Sequence, residues 1–343
     1  MREPAFDTAA MDGYAVSGAP LWRIRGTARA GTAWQGVLRP GACARISTGA
    51  LVPPGADAVV PLEVATATGG QVFGAVPSEG RHIRRTGEDA AAGECLAPAG
   101  TRIGPALVGL AAAAGHDTVA VRPRPRVAVL VTGDELDHAG APEPGRVRDA
   151  LGPLLPGLVA ELGGETVALC HVLDHPHGGL AREVRARDGA EVIVVTGSTS
   201  VGATDQLRGL LADSAARMVV DTVACRPGHP MLLAELPGRR WVVGLPGHPY
   251  AALVSARTLL GPLLAGLCGR ALPRLPRVPV YGRAKVSPGH TRLVPVSWTD
   301  DGCRIGAGHR AAFLRGAAIG DALAALGPDW EDGGLAPVLL PQA

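Results

Sequence analysis

The chain has 343 residues, 47% of them hydrophobic, and a net charge of +2 from 33 basic and 31 acidic side chains. That length exceeds one ordinary core and points to two to four domains. A balanced charge, with only three Phe, three Tyr and five Trp, excludes the basic, stacking surface of a nucleic-acid binder. No apolar run approaches the ~20 residues of a membrane span, and residues 1–10 carry no signal pattern, so the expectation is no membrane and a cytoplasmic location. Cys43, Cys95, Cys170, Cys225, Cys268 and Cys303 form no C-x-x-C, which argues for scattered reduced thiols rather than zinc or disulfides. Lys285 is the single lysine and asparagine is absent, the codon bias of a GC-rich genome.

Residues 1–80 read as a β-rich domain that opens with the motif MDGYA. Asp12-Gly13 makes a turn before a short strand at 14–16, and the Asp7 and Asp12 carboxylates are expected to be exposed. Further short strands are expected at 21–24, 43–46, 58–60 and 72–76, broken by Gly and Pro with no sustained helical period. Inside lies RISTGALVPPGADAVVPLE, where the Thr48 hydroxyl and neighbouring amides are expected to face a ligand. Residues 81–122 form a helical and linker segment: an acidic turn with Asp89, a helix at 106–114 started by Pro105 and stopped by Gly115, a strand at 118–121, and the extended RPRPR.

Residues 123–268 alternate strand and helix signals. The fold class expected is a multidomain α/β protein, its central doubly wound, mostly parallel sheet flanked by small β-rich domains. The first strand, 127–131, is apolar throughout, as in a sheet buried on both faces. A helix at about 153–162, a strand at 166–172, a helix at about 178–187 and a strand at 192–195 follow. Then come a helix from near Asp205, a strand at 218–224 and a hairpin of 231–236 with 241–245. A long helix runs from Pro249 to about Leu267, kinked or divided by Pro262. Residues 272–343 read as a small β domain, with strands at 278–281, 293–297 and 338–340.

The central strands end in chemistry-bearing turns: TGDEL (Thr132, Gly133, Asp134, Glu135), TGSTSVGATD (Thr196, Gly197, Ser198, Ser200, Gly202, Asp205) and LPGHP (Pro246, Gly247, His248). RPGHP, with Arg226 and His229, follows a further strand. Open α/β sheets bind ligands at such carboxyl ends. Glycine lets backbone amides approach an anion, so residues 196–205 are expected to cradle phosphate, although neither a Walker A loop nor G-x-G-x-x-G is present. The carboxylates Asp12, Asp89, Asp134, Glu135, Asp174 and Asp205 beside such a cradle suit a hard divalent cation, Mg²⁺, with Asp205 and Glu135 as its ligands; Asp205 can equally cap its helix. His171, Asp174, His175 and His177 are a dense cluster, but Pro176 spoils helical pairing for a metal.

FDTAAMDGYAV, RISTGALVPPGADAVVPLE, RRTGEDAAAGE, RVAVLVTGDEL, VIVVTGSTSVGATD, ACRPGHP and VVGLPGHP, in this order over about residues 4–255, resemble the molybdopterin molybdenumtransferase family, related to the C-terminal part of gephyrin. The resemblance implies an elongated homodimer of four-domain subunits. It implies insertion of molybdate into adenylylated molybdopterin, with release of AMP and Mg²⁺ assistance, and a molybdopterin adenylyltransferase as a partner. It implies catalytic roles for Asp12, Asp89, Glu135, Asp174 and Asp205, and substrate binding by Thr48 and the basic turn of Arg226 and His229.

The chain departs from the family pattern at several points. Family KPGKP is RPGHP here, PGNP is PGHP, Asp-Ser-Asn is Asp149-Ala150-Leu151, and the second glycine of TGG is Ser198. A serine of the last domain has no counterpart near residues 309–314, and the family's N-terminal helical segment is expected to be missing. Two other readings follow from these residues: a non-catalytic binder of molybdopterin or its finished cofactor, and a molybdopterin adenylyltransferase, against which the flanking domains argue.

Overall fold

Every residue of Arg126–Thr132 after the first is buried, and alternate side chains enter different cores. Val127, Val129 and Val131 meet Leu155, Val159, Leu260 and Leu264 on one face. Leu130 meets Leu180, Val184, Leu207 and Leu211 on the other. The period of two along a strand, with helices waiting on both sides, is why the sequence shows a continuous apolar run. The structure is a computed structural model that describes residues 1–199 and 206–341. The chain divides into two units, Met1–Ala120 and Val121–Ala343.

The central sheet of the second unit has the order Glu165–Val172, Arg126–Thr132, Val192–Thr196, Arg240–Leu245, Leu232–Leu236, Arg217–Asp221. The first four strands are parallel and the last two antiparallel. Leu151–Glu161 and the helical run from Pro249 cover one face; Gly179–Ala186 and Leu207–Asp213 cover the other. The doubly wound sheet is therefore as expected. The run Pro249–Leu267 is long and apolar enough to span a membrane, contrary to the expectation that no such stretch exists, and 61% of it is buried in this fold. It is interrupted by a π turn, Ala256–Leu260, just before Pro262. The wider turn accommodates a residue that cannot donate to the preceding turn. Arg257 ties this run to the neighbouring helix through a bidentate pair with Glu161, at 2.8 and 3.1 Å.

The carboxyl-terminal strands close into a barrel: Thr291–Thr299 pairs with Gly302–Ile305 and with Ala322–Leu326, and Arg277–Tyr281 and Leu335–Leu339 complete the ring. Val280, Val294, Val296, Ala324 and Val338 fill it. Cys225–Arg226 joins this sheet, pairing in parallel with the start of Thr291–Thr299. The strand expected at 218–224 ends at Asp221, and the chain then crosses to the barrel. Tyr250, fully buried, donates its hydroxyl to Leu293 O at 3.1 Å and seats the long helical run against the barrel. Burial pushes that hydroxyl's pKa up.

In the first unit a six-stranded sheet runs Ala58–Pro61, Gly13–Ser17, Ala42–Ile46, Trp22–Ala28, Gln71–Phe73, Thr66–Thr68. Ala15, Ala44, Ile46 and Val59 pack on one face, and Tyr14, Val16, Trp22, Cys43 and Val72 on the other. The helix Pro105–Ala113 forms as its Pro start and Gly115 stop dictate. The strand expected at 118–121 does not form; Val119 and Val121 are exposed, with no sheet edge paired to them. The strand expected at 72–76 shortens to Gln71–Phe73.

Candidate functional site

From Arg126–Thr132 the chain passes through a helix to one neighbour, Glu165–Val172, and then returns to the other, Val192–Thr196. Connections diverge above the carboxyl ends of Arg126–Thr132 and Val192–Thr196, and such a switch point leaves a crevice. Three turns meet there. The Thr132 hydroxyl donates to Thr196 O at 2.8 Å and lies 3.4 Å from Ser198 Oγ. Gly197 N donates to Leu245 O at 3.0 Å, next to Pro246 and Gly247. A Cβ on Gly197, whose φ is +76°, would sit 2.7 Å from Thr132 Oγ1, and one on Gly133, φ +144°, would sit 2.6 Å from Glu135 Oε2. Both sites favour glycine for conformation, and Gly197 also for space, because Thr132 Oγ1 is held by Thr196 O.

The phosphate cradle needs one correction. The amides of Gly133 and Gly197 turn inward, to Val172 O and Leu245 O. Neither amide is therefore free for an anion, and Ser200, Gly202 and Asp205 lie outside the described residues. Ser198 itself has φ +51°, a left-handed backbone that favours glycine. His248 precedes Pro249 in an extended conformation, and its side chain makes no cap bond.

The acids at this edge are unequal. Asp134 accepts from Asp174 N at 2.8 Å, His175 N at 3.4 Å and His175 Nδ1 at 2.7 Å. The His175 side-chain bond, chiefly, lowers its pKa below the usual carboxylate value. Asp134 thus fixes the loop after Glu165–Val172, while Glu135 is exposed and its carboxylate has no hydrogen-bond partner among the described residues. Burial, then repulsion from Asp134 and Glu135, raises the pKa of Asp174. Gln206 Nε2 donates to Asp174 O at 2.8 Å. The histidine cluster disperses: His171 Nε2 donates to Gly133 O at 2.7 Å, His175 goes to Asp134, and His177 lies against His175 at 5.0 Å. Asp149 caps the helix Leu151–Glu161, accepting from Leu151 N and Gly152 N at 2.9 Å each. Among the described residues no three His, Cys, Asp or Glu groups are spaced to hold a metal ion.

The basic turn sits between the central sheet and the barrel. Arg226 is exposed and its guanidinium has no partner among the described residues. His229 Nδ1 donates to Val223 O at 2.9 Å, and its ring lies 6.0 Å from that of His290. His290 escaped sequence reasoning; the only signal was a histidine after the Pro288-Gly289 turn, remote in the chain.

In the first unit Asp12 and Thr48 come together. Asp12 Oδ1 accepts from Thr48 N at 2.6 Å and from Thr48 Oγ1 at 3.0 Å. The Thr48 hydroxyl therefore faces Asp12 rather than standing open, because a carboxylate is the stronger acceptor at hand. The Thr48 amide and hydroxyl hold the Asp12 carboxyl below its usual pKa. Asp12 is exposed as expected; Asp7 is half-buried and held by Thr86 and Arg85. Asp89, exposed, pairs with Arg84.

The same halves are found in known proteins. Residues 1–115 match the MoeA N-terminal region (domain I and II), and residues 128–266 a probable molybdopterin binding domain. Molybdopterin molybdenumtransferase 2 of Mycobacterium tuberculosis is 36% identical over 293 residues, 80% of this chain and 71% of that protein. The chain belongs to the molybdopterin molybdenumtransferase family. Molybdopterin molybdenumtransferase of Haemophilus influenzae is 32% identical over 275 residues, 78% of this chain and 68% of the relative. A crystal structure of molybdopterin biosynthesis moeA protein from Pyrococcus horikoshii has a TM-score of 0.78 at 26% identity, covering 100% of this chain and 89% of that one. Two positions of the molybdopterin-binding half carry constraints of their own: Ser198 has a left-handed backbone, and His229 ties its Nδ1 to the main chain.

Proposed function

We propose that this chain inserts molybdate into adenylylated molybdopterin, releasing AMP and leaving molybdenum cofactor. The observation that carries this reading is the convergence of the Thr132, Thr196 and Pro246 turns at the switch point of a sheet of the molybdopterin-binding type. The pterin phosphate is proposed to lie over Thr132, Gly133, Thr196, Gly197 and Ser198, with Pro246, Gly247 and His248; Ser200 and Gly202, of the same proposed set, lie outside the described residues. Asp134 orders the loop that carries Asp174 before substrate arrives. Asp174, whose pKa is raised by burial and by Asp134 and Glu135, is proposed as a catalytic carboxyl of this edge. Within the first unit, Asp12 and Asp89 are proposed as catalytic carboxylates and Thr48 as a substrate-binding residue.

Mg²⁺ is proposed with Glu135 and Asp205 as its ligands, Asp205 lying outside the described residues. Carboxylate oxygens suit a hard ion, and the repulsion that raises Asp174 is what such an ion relieves. When bound it screens phosphate charge. Molybdate is assigned to the basic turn, where Arg226 supplies a permanent cation and His229 lies three residues on. The assembly we infer is a homodimer: Pro105–Ala113 is apolar along its length, none of it is buried within its unit, and Val108 is 58% exposed. A molybdopterin adenylyltransferase would supply the substrate, in the cytoplasm.

The test is AMP release from adenylylated molybdopterin as molybdate is varied, in the parent chain and in Asp174→Asn. Release that rises with molybdate and is lost in the variant supports the reading. Tight pterin binding without release, unchanged by His229→Lys, would identify a non-catalytic binder.

A further inference from the structure

We propose that His229 and His290 form an open binding site for a first-row divalent transition ion, with Zn²⁺ as its simplest occupant. A carbonyl oxygen only accepts, so each Nδ1 that touches one must carry the proton. His229 Nδ1 lies 2.9 Å from Val223 O, and His290 Nδ1 lies 3.1 Å from Pro288 O. In the neutral rings both Nε2 atoms then hold the lone pair, and neither has a hydrogen-bond partner among the described residues. A main-chain carbonyl on the far nitrogen is the arrangement that fixes tautomer and ring orientation in metal-bound histidines.

The spacing agrees. The ring centroids are 6.0 Å apart with the planes at 61°. Two imidazoles sharing one Zn²⁺ through Nε2, at Zn–N distances of about 2.0–2.1 Å, place their centroids roughly 5 to 6 Å apart. The two segments are also tied together. Cys225–Arg226 pairs with Thr291 and Arg292, and Thr291 N donates to Ala224 O at 3.0 Å. His290 immediately precedes that ladder and His229 follows it by three residues, each after a Pro-Gly turn. The ladder therefore holds together the two segments that carry the rings.

Imidazole nitrogens select Zn²⁺, Ni²⁺ or Cu²⁺ over Mg²⁺, which takes oxygen donors. The Cys225 thiol is no ligand: it points to Pro227 O at 3.5 Å and burial pushes its pKa up to about 11. Among the described residues no third His, Cys, Asp or Glu completes the site, so water or an anion fills the other positions. Arg226, exposed and three residues before His229, favours an anionic co-ligand there.

The experiment is calorimetric titration of chelator-stripped full-length chain with Zn²⁺, alongside nitrogen hyperfine spectroscopy of the Cu²⁺-loaded parent. One equivalent should bind, weakened roughly tenfold or more by His229→Ala or His290→Ala, as loss of an ordering contact already does at metal sites. His175→Ala and His177→Ala should leave it unchanged, and Cu²⁺ should couple to two imidazole nitrogens. The spectrum of the parent chain decides the matter if a variant misfolds. No binding by the parent, full binding by His229→Ala with His290→Ala, or loss in His175→Ala alone would overturn the proposal. None of these readouts depends on molybdate insertion.

Discussion

The acidic edge and the basic turn are built on opposite plans. At the edge, Asp134 engages both oxygens with Asp174 and His175, Asp149 caps a helix, and the amides of Gly133 and Gly197 are bonded inward. That scaffold is complete without a ligand, and only Glu135 and Asp174 keep electrostatic tension in reserve. At the turn the backbone is fixed by the ladder to Thr291 and Arg292, while Arg226 and the Nε2 atoms of His229 and His290 end without partners among the described residues. The edge sets its geometry in advance; the turn leaves its charge to be settled by what binds.

Breaking the edge should have the largest effect. Gly197→Ala adds a Cβ 2.7 Å from Thr132 Oγ1 at a φ of +76°. The strained backbone alone costs about 1–2 kcal/mol, and displacement of Thr132 should abolish pterin binding; urea unfolding and a binding titration measure the two. Breaking the turn should be milder and selective. Arg226→Ala should raise the molybdate concentration needed for AMP release roughly tenfold, as loss of a charge-assisted bond does, and leave pterin affinity unchanged.

Smaller effects sharpen the contrast. Ser198→Gly should stabilise by about 1 kcal/mol in urea unfolding, because residue 198 has φ +51°. Asp174→Asn should stabilise at neutral pH while losing activity. The folded-state pKa of Asp174 is raised, so stability falls as pH rises from the unfolded to the folded value, and the uncharged variant removes that slope. Asp12 has the opposite sign. Its lowered pKa gives stability present above the unfolded value and lost as pH falls through the folded one. Asp12→Asn should therefore lower the unfolding midpoint slightly at pH 7 and flatten its decline as the pH falls below about 4.

What was legible in the sequence is what is local. Val127, Val129 and Val131 alternate with Ala128 and Leu130, and both sets are buried, so the run announces a strand covered on two faces. Pro105 and Gly115 mark a helix because each solves a terminal problem on the spot. Residues 118–121 have strand composition but no edge to pair with, and composition cannot supply one. Cys225–Arg226 leaves the central sheet for a barrel whose partner strand begins at Thr291, a pairing no local pattern encodes. Thr48 meeting Asp12, and His290 meeting His229, are non-local in the same way. The acids and turns of the candidate site could be named from the sequence; which of them are occupied by the protein's own backbone could not.

Molybdate insertion is tested most directly by AMP release from adenylylated molybdopterin, followed over a molybdate series with the parent chain. Release that saturates with molybdate, and disappears in Asp174→Asn while pterin remains bound, is the predicted result. Bound pterin with no AMP at any molybdate concentration would contradict it.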